Sequence, residues 1–261
     1  MWAVGENASG QGVIYRTDGE EDFTAISIPS AGALRAVVAI NEDNAWAVGD
    51  GGAILHFDGT QWQSMPSPTS ADLHAIAIGP TGLGWIVGAN GETLRFNGTG
   101  WQQVSSSTSA TLRRVWVANR FGMEIEGSLD LAWAVGDNGT VMHWDGMDWI
   151  AEESGTSADL YAVSGVHSHS LRAVGANGTA TLRLYGHWEV SQTPNNSVTL
   201  RGLLTSPRDE AWAVGDDGTM WFAPSRKGEF TVYNSGTSDT REPSFSKTHA
   251  TSIARATSVV W

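Results

Sequence analysis

The sequence predicts an all-β fold, a six-bladed β-propeller with four antiparallel strands per blade, closed by pairing of its N- and C-terminal strands. Three observations carry this reading. First, one pattern recurs: WAVGDNGTVMHWDGMDW at 133–149 returns at 45–62 and 84–101, in weaker form at 172–188 and 211–230, and opens the chain at 2–23. Second, residues Trp2, Trp46, Trp85, Trp133, Arg172 and Trp212 follow one another at steps of 44, 39, 48, 39 and 40. A period of about 40 with four short strands is the arithmetic of a propeller blade. Third, every copy alternates apolar and small or polar residues and is punctuated by Asp-Gly or Asn-Gly, the pattern of strands joined by tight turns.

Each copy supplies three strands: AWAVG, the segment after the first turn, and the segment opened by the second tryptophan. The missing strand precedes it, as LRAVVAI at 34–40, LHAIAI at 73–78, LRRVWVA at 112–118, LYAVSGV at 160–166 and LRGLLTS at 200–206. Blade cores are therefore expected at 34–67, 73–106, 112–154, 160–193 and 200–234. The opening copy at 2–28 lacks its first strand. Residues 250–260 read as a strand without later partners, so they are expected to complete that blade near Trp2–Gly5 and remove an exposed sheet edge. One domain, 1–261, results. An insertion, NRFGMEIEGSLD at 119–130, stretches the interval from Leu112 to Trp133 to 21 residues where the other copies show 12. Its Phe121, Met123, Ile125 and Leu129 are apolar for a loop. A loop that breaks a repeat is a place where function is added, and this one is expected to bind a partner or to cover a blade end.

Composition narrows the function classes. The chain has 261 residues, no cysteine and a formal net charge of −13. Disulfides and thiolate metal sites are excluded. A strongly acidic chain argues against the nucleic-acid backbone as a partner. No apolar run is long enough to span a bilayer, and no leader peptide is visible. The acidic surface suits an extracellular or cell-surface setting.

The repeat W-x-V-G-x-x-G-x-[IVL]-x-x-x-x-D-G-x-x-W, clearest at 46–62, resembles that of the photosystem II assembly and stability factors. It is also similar to Asp-box-related propeller repeats of bacterial surface and secreted proteins. The resemblance covers nearly the whole chain and implies a propeller, although the assembly factors count seven blades against six here. It marks a blade, not a site.

Candidate chemistry is sparse. His167 and His169 share one strand face and could hold a metal, but the sequence offers no third ligand, and they read first as surface histidines. His56 and His143 read as a solvated strand position that other copies fill with Arg95 and Arg183. Asp50, Glu92, Asp137, Asp216 and Asp217 in the turns and Asp72 and Asp159 in the linkers make one face acidic, or are simply good turn residues. Asn7, Asn97, Asn138, Asn177 and Asn195 head Asn-x-Ser/Thr sequons. The outer tryptophans Trp62, Trp101, Trp149 and Trp188 are either core or inter-blade platforms for sugars. No phosphate loop or catalytic triad is recognisable, and nothing requires a cofactor.

One constellation stands apart. The residue after the leucine that opens each first strand is Arg35, His74, Arg113, Tyr161 or Arg201. First strands line a propeller's axis, so these five are expected at the channel mouth. There they form an anion or partner site, or they pair with linker residues such as Asp72 and Asp159. The sequence thus reads first as a non-catalytic scaffold for a protein partner. A carbohydrate-binding lectin is the alternative, and a propeller-type glycoside hydrolase or lyase comes third.

Overall fold

A computed structural model describes residues 1–17, 23–28, 30–79, 82–118 and 131–233, and the backbone of 259–260. The opening strands are β1 (Trp2–Glu6), β2 (Gly12–Arg16) and β3 (Thr24–Ile28). Next come β4 (Leu34–Asn41), β5 (Asn44–Gly49), β6 (Ile54–Phe57) and β7 (Trp62–Ser64), then β8 (Leu73–Ile78), β9 (Gly84–Gly88), β10 (Thr93–Phe96) and β11 (Trp101–Gln103). The series continues with β12 (Leu112–Val117), β13 (Ala132–Gly136), β14 (Val141–Trp144) and β15 (Trp149–Glu152). It ends with β16 (Leu160–His167), β17 (Ser170–Gly175), β18 (Ala180–Leu184) and β19 (His187–Val190), then β20 (Leu200–Thr205), β21 (Ala211–Gly215), β22 (Met220–Ala223), β23 (Thr231–Val232) and β24 (Val259–Val260).

The described strands form six four-stranded sheets, and five of them run in chain order from β4 onward. The sixth has the order β24-β1-β2-β3. Trp2 lies opposite Val260 and Ala3 opposite Val259, antiparallel. By internal contact the chain divides into two compact units. One is Met1–Ala134 with Met142–Ile150 and Ala256–Trp261, the other Val135–Val141 with Ala151–Arg255.

The Asp-Gly and Asn-Gly signatures have a conformational cause. From β5 onward, each second strand runs into a single 3-10 turn whose middle residue is left-handed: Gly51 at φ 65°, Asn90 at 56°, Asn138 at 56°, Asn177 at 54° and Asp217 at 57°. Glycine, asparagine and aspartate tolerate that region best. The glycine that follows is required for a second reason. A Cβ on Gly52, Gly91 or Gly139 would overlap the carbonyl oxygen of Thr69, Thr108 or Thr156 in the linker to the next sheet. The linker therefore lies directly on the turn, and no side chain fits between them.

In the first unit, sheets are fastened to one another by aromatic clusters. Trp46 of β5 meets Phe96 and Trp101 of the next sheet at 5.3 and 5.7 Å between ring centroids. Trp85 of β9 meets Trp144 and Trp149 at 4.7 and 4.8 Å. Trp2 meets Phe57 and Trp62 in the same way. These tilted and edge-on pairs add about 0.5–1.5 kcal/mol each beyond the area they bury. In the second unit Arg172 stands at the tryptophan position. It is 3% exposed, its Nη2 donates to the carbonyls of Ser225, Arg226 and Gly228, and its guanidinium lies 5.1 Å from the Phe230 ring. Burial lowers its pKa from the ordinary value.

Two glycines of one sheet separate close packing from local freedom. Gly91→Ala is expected to destabilise the protein by about 1–3 kcal/mol, from left-handed strain and the overlap with Thr108. Gly100→Ala, where a Cβ meets nothing within 4 Å, should stay within about 0.5 kcal/mol. Urea unfolding of the two variants makes the comparison, and equal effects would refute the contact.

Candidate functional site

The residues that follow the first-strand leucines occupy special backbone. The pairing of β4 with β5 shifts register between Leu34 and Ala36, which leaves Arg35 as an extra residue in a β-bulge. The same shift sets off His74 between Leu73 and Ala75, Tyr161 between Leu160 and Ala162, and Arg201 between Leu200 and Gly202. Bulges re-aim side chains and are frequent at functional edges. Their origin is local, because the first residue of each turn donates its N–H to the residue before the leucine. Asp50 donates to Ala33, Ala89 to Asp72, Ala176 to Asp159 and Asp216 to Thr199, at 2.8–2.9 Å. That bond fixes the strand's entry one residue out of step with its ladder.

In the first unit Arg35 forms a two-pronged ion pair with Asp50, Nε to Oδ1 at 2.7 Å and Nη2 to Oδ2 at 2.6 Å. Hydrogen bonding to Asp50 raises the Arg35 pKa, and Asp72 and Glu6 add to it. His74 lies within the field of Arg35 and Arg113, and burial first, then those two charges, lower its pKa. In the second unit Arg201 pairs with Asp216 through Nε at 2.6 Å and Nη2 at 3.0 Å. Its guanidinium lies 5.6 Å from the Tyr161 ring, and the Tyr161 hydroxyl donates to Asp159 Oδ2 at 3.3 Å. The Arg35 and Arg201 side chains remain 42% and 55% exposed. Exposed pairs of this kind contribute only about 0–1 kcal/mol, so stability alone does not account for them.

Several sequence expectations change. Arg35 and Arg201 take the turn aspartates of their own sheets, while Tyr161 takes the linker residue Asp159 as expected. Asp72 and Asp159 also accept backbone N–H groups, from Gly51 and Asn138, both at 2.8 Å. The position of His56 and His143 is not solvated. His56 stacks on Trp46 at 4.2 Å and His143 on Trp133 at 4.3 Å, while Arg95 lies 6.0 Å from its cross-strand partner Trp85. These are cross-strand lids on the tryptophans. Arg183 does not belong to that position. The register pairs it with Leu171 and Trp188, where other sheets carry Phe57, Phe96 and Trp144. It is nearly buried and forms a two-pronged pair with Glu152, whose Oε2 also accepts the Trp188 indole N–H at 2.6 Å. Sequence reading missed Glu152 because its counterparts are apolar or small.

Trp101, Trp149 and Trp188 are 4–7% exposed, so these outer rings are core and present no platform to a sugar. Asn138 and Asn177 sit in the left-handed turns, and Asn97 and Asn195 accept the hydroxyls of Thr99 and Ser197. Among the described residues no cluster of three or more His, Asp or Glu side chains is placed to hold a metal, and no helix is long and apolar enough to cross a membrane. Phe121, Met123, Ile125 and Leu129 lie outside the described residues.

No protein-family model matches the chain, and no curated protein does. Solved structures do. "YCF48 bound to D1 peptide" superposes with a TM-score of 0.64 at 20% identity, over 88% of this chain and 76% of that one. YCF48 from Cyanidioschyzon merolae gives 0.60 at 15%, over 80% and 73%. The WD40 propeller domain of Doa1 gives 0.61 at 12%, over 77% and 68%. These likenesses establish the β-propeller fold.

His56, His74 and His169 all have pKa values below the ordinary 6.5, chiefly through burial. The unfolded chain then binds more protons than the folded one as pH falls. The associated stability is complete above pH 6.5 and is lost as pH drops through the lower folded values. The melting temperature should fall between about pH 7 and pH 5, and His74→Gln should make that fall shallower. A melting temperature that rises on acidification contradicts the assignment.

Proposed function

We propose that this chain is a non-catalytic propeller scaffold that binds a protein partner through its first-strand bulge residues. In this reading residues 1–261 form one domain, closed by β24 on β1, and Arg35, His74, Arg113, Tyr161 and Arg201 converge at the channel mouth. The observation that carries it is the state of Arg35 and Arg201. Each is re-aimed by a bulge, half-exposed, and held by a single aspartate of its own sheet. Such a guanidinium is pre-oriented and can exchange its intramolecular carboxylate for a partner's at little cost in stability. The peptide-bound YCF48 structure supports a protein ligand for a propeller of this kind. The acidic composition supports a setting at the cell surface or outside the cell.

We assign a second contact to the segment 119–130, on the apolar character of Phe121, Met123, Ile125 and Leu129 in a loop that interrupts the repeat.

Two variants test these contacts against an array of peptides bearing free C-terminal carboxylates. Changing Arg35 and Arg201 together to Gln should leave the melting temperature within a few degrees, since each exposed pair contributes at most about 1 kcal/mol. Carboxylate-dependent binding should fall about tenfold or more. Unchanged binding would remove the bulge residues from the site, and a loss of folding would make them structural. Replacing 120–129 by a short turn should weaken binding without loss of cooperative unfolding. If that chain fails to fold, the segment covers a blade end instead.

A further inference from the structure

Outside the repeated 3-10 turns, only three described non-glycine residues have positive φ: Ser107, Tyr185 at 51° and Asp209 at 61°. A tyrosine there is a true outlier, with a strain cost of about 1–3 kcal/mol. Tyr185 holds the first position of a two-residue turn between β18 and β19, where other copies carry a longer turn headed by Asp or Asn. Its side chain is 73% exposed. Ser170 pairs with Leu184, so the ladder brings the Tyr185 turn opposite His169.

His169 stacks on His167 at 5.4 Å between ring centroids and 14° between planes, and both side chains are exposed. The turn that carries them is pinned where Arg183 Nη1 donates to the Ser168 carbonyl at 2.6 Å. His169 lies in the field of Arg226 and Asp209. Asp209, also left-handed, accepts the Ser170 hydroxyl at 3.1 Å and Arg226 Nε at 3.1 Å. The terminal amino groups of Arg226 have no partner among the described residues, and its main chain is fixed by Arg172. Exposed Arg208 and Lys227 flank it. One strained turn, a second left-handed turn, three exposed rings and a half-used guanidinium thus share one end of the second unit, in a chain of net charge −13.

We propose that His167, His169, Tyr185 and Arg226 form a binding site for an acidic saccharide, whose sugar face packs on the rings and whose carboxylate or sulfate takes the Arg226 amino groups. The chemistry selects this ligand over its rivals. A pyranose has a flat C–H face that an exposed ring covers, and hydroxyls at its edge that imidazole nitrogens can both donate to and accept from. Its anionic substituent matches the planar fork of a guanidinium. A peptide adding as a strand would need a sheet edge, which these turns do not offer. A polyanion the length of a nucleic acid meets a strongly acidic protein. Partial desolvation first, then Arg226, lower the His169 pKa from its ordinary value.

Titration calorimetry on the full chain at about 0.15 M salt, where long-range steering is screened, tests the proposal. The probes are a hyaluronan tetrasaccharide, which carries only uronate, a heparin tetrasaccharide, which adds sulfate, and chitotetraose and a short polyglutamate as controls. Saturable 1:1 binding of one or both acidic sugars, and of neither control, is expected. A response to hyaluronan assigns the carboxylate, and a response to heparin alone assigns the sulfate. Tyr185→Ala and Lys227→Gln, both at exposed positions, should weaken binding about tenfold and about threefold. The Arg35 and Arg201 double change should leave it unaltered, which separates this site from the bulge residues. The proposal fails if neither acidic sugar saturates, if polyglutamate binds as well, or if folded Tyr185→Ala binds like the parent.

Discussion

The contact on which the structure depends is between a linker carbonyl and the α-carbon of a turn glycine. Where Thr69, Thr108 and Thr156 cross Gly52, Gly91 and Gly139, there is no room for a methyl group. That closeness fixes where each linker leaves the turn and so where the next first strand begins. A companion bond, from the first turn residue back to the carbonyl before the leucine that opens the same sheet, puts that sheet's first strand out of step by one residue. The bulge follows, and with it the direction of Arg35, His74, Tyr161 and Arg201. A constraint that looks purely architectural thus sets the orientation of the side chains assigned to binding.

Between sheets the chain solves one packing problem in two ways. The first unit inserts tryptophans and covers them with a cross-strand His or Arg, which satisfies the ring face without burying a bare charge. The second unit puts charge into the interior itself. Arg183 and Glu152 neutralise one another through paired hydrogen bonds, and Arg172 is solvated by three carbonyls. A buried ion pair rarely exceeds a hydrophobic isostere in stability, yet losing one partner costs about 3–5 kcal/mol. The second arrangement is therefore less tolerant of single substitutions, and it is also the one adjoining the strained turn at Tyr185.

Much of this was legible in the sequence because the informative residues are those that backbone geometry demands. Asn90, Asn138 and Asp217 announce left-handed turns, and the period between them gives four strands per sheet. Even the partner of β1 could be found, as a strand left over near the C-terminus. What escaped was whatever depends on register to a single residue. Arg183 aligns by eye with Arg95, but the ladder places it with Phe96, since the Tyr185-Gly186 hairpin closes more tightly than its counterparts. The bulges were invisible too, since Arg35 and His74 continue an ordinary strand pattern in one dimension. The strain at Tyr185 left no periodic trace, because it is a departure from the repeat.

The pairing of Trp2 with Val260 carries a consequence for how the molecule is made. Every other sheet is assembled from strands close in the chain and can form as soon as its segment emerges from the ribosome. The sheet of β1, β2 and β3 must wait for the whole of the intervening sequence, with one edge of β1 open. Contacts of such sequence separation are slow to form, and an open strand edge attracts other nascent chains. Vectorial synthesis therefore makes the first of the described strands the last to be completed. For most of its biogenesis the N-terminal edge is the part of this protein that a chaperone would have to guard.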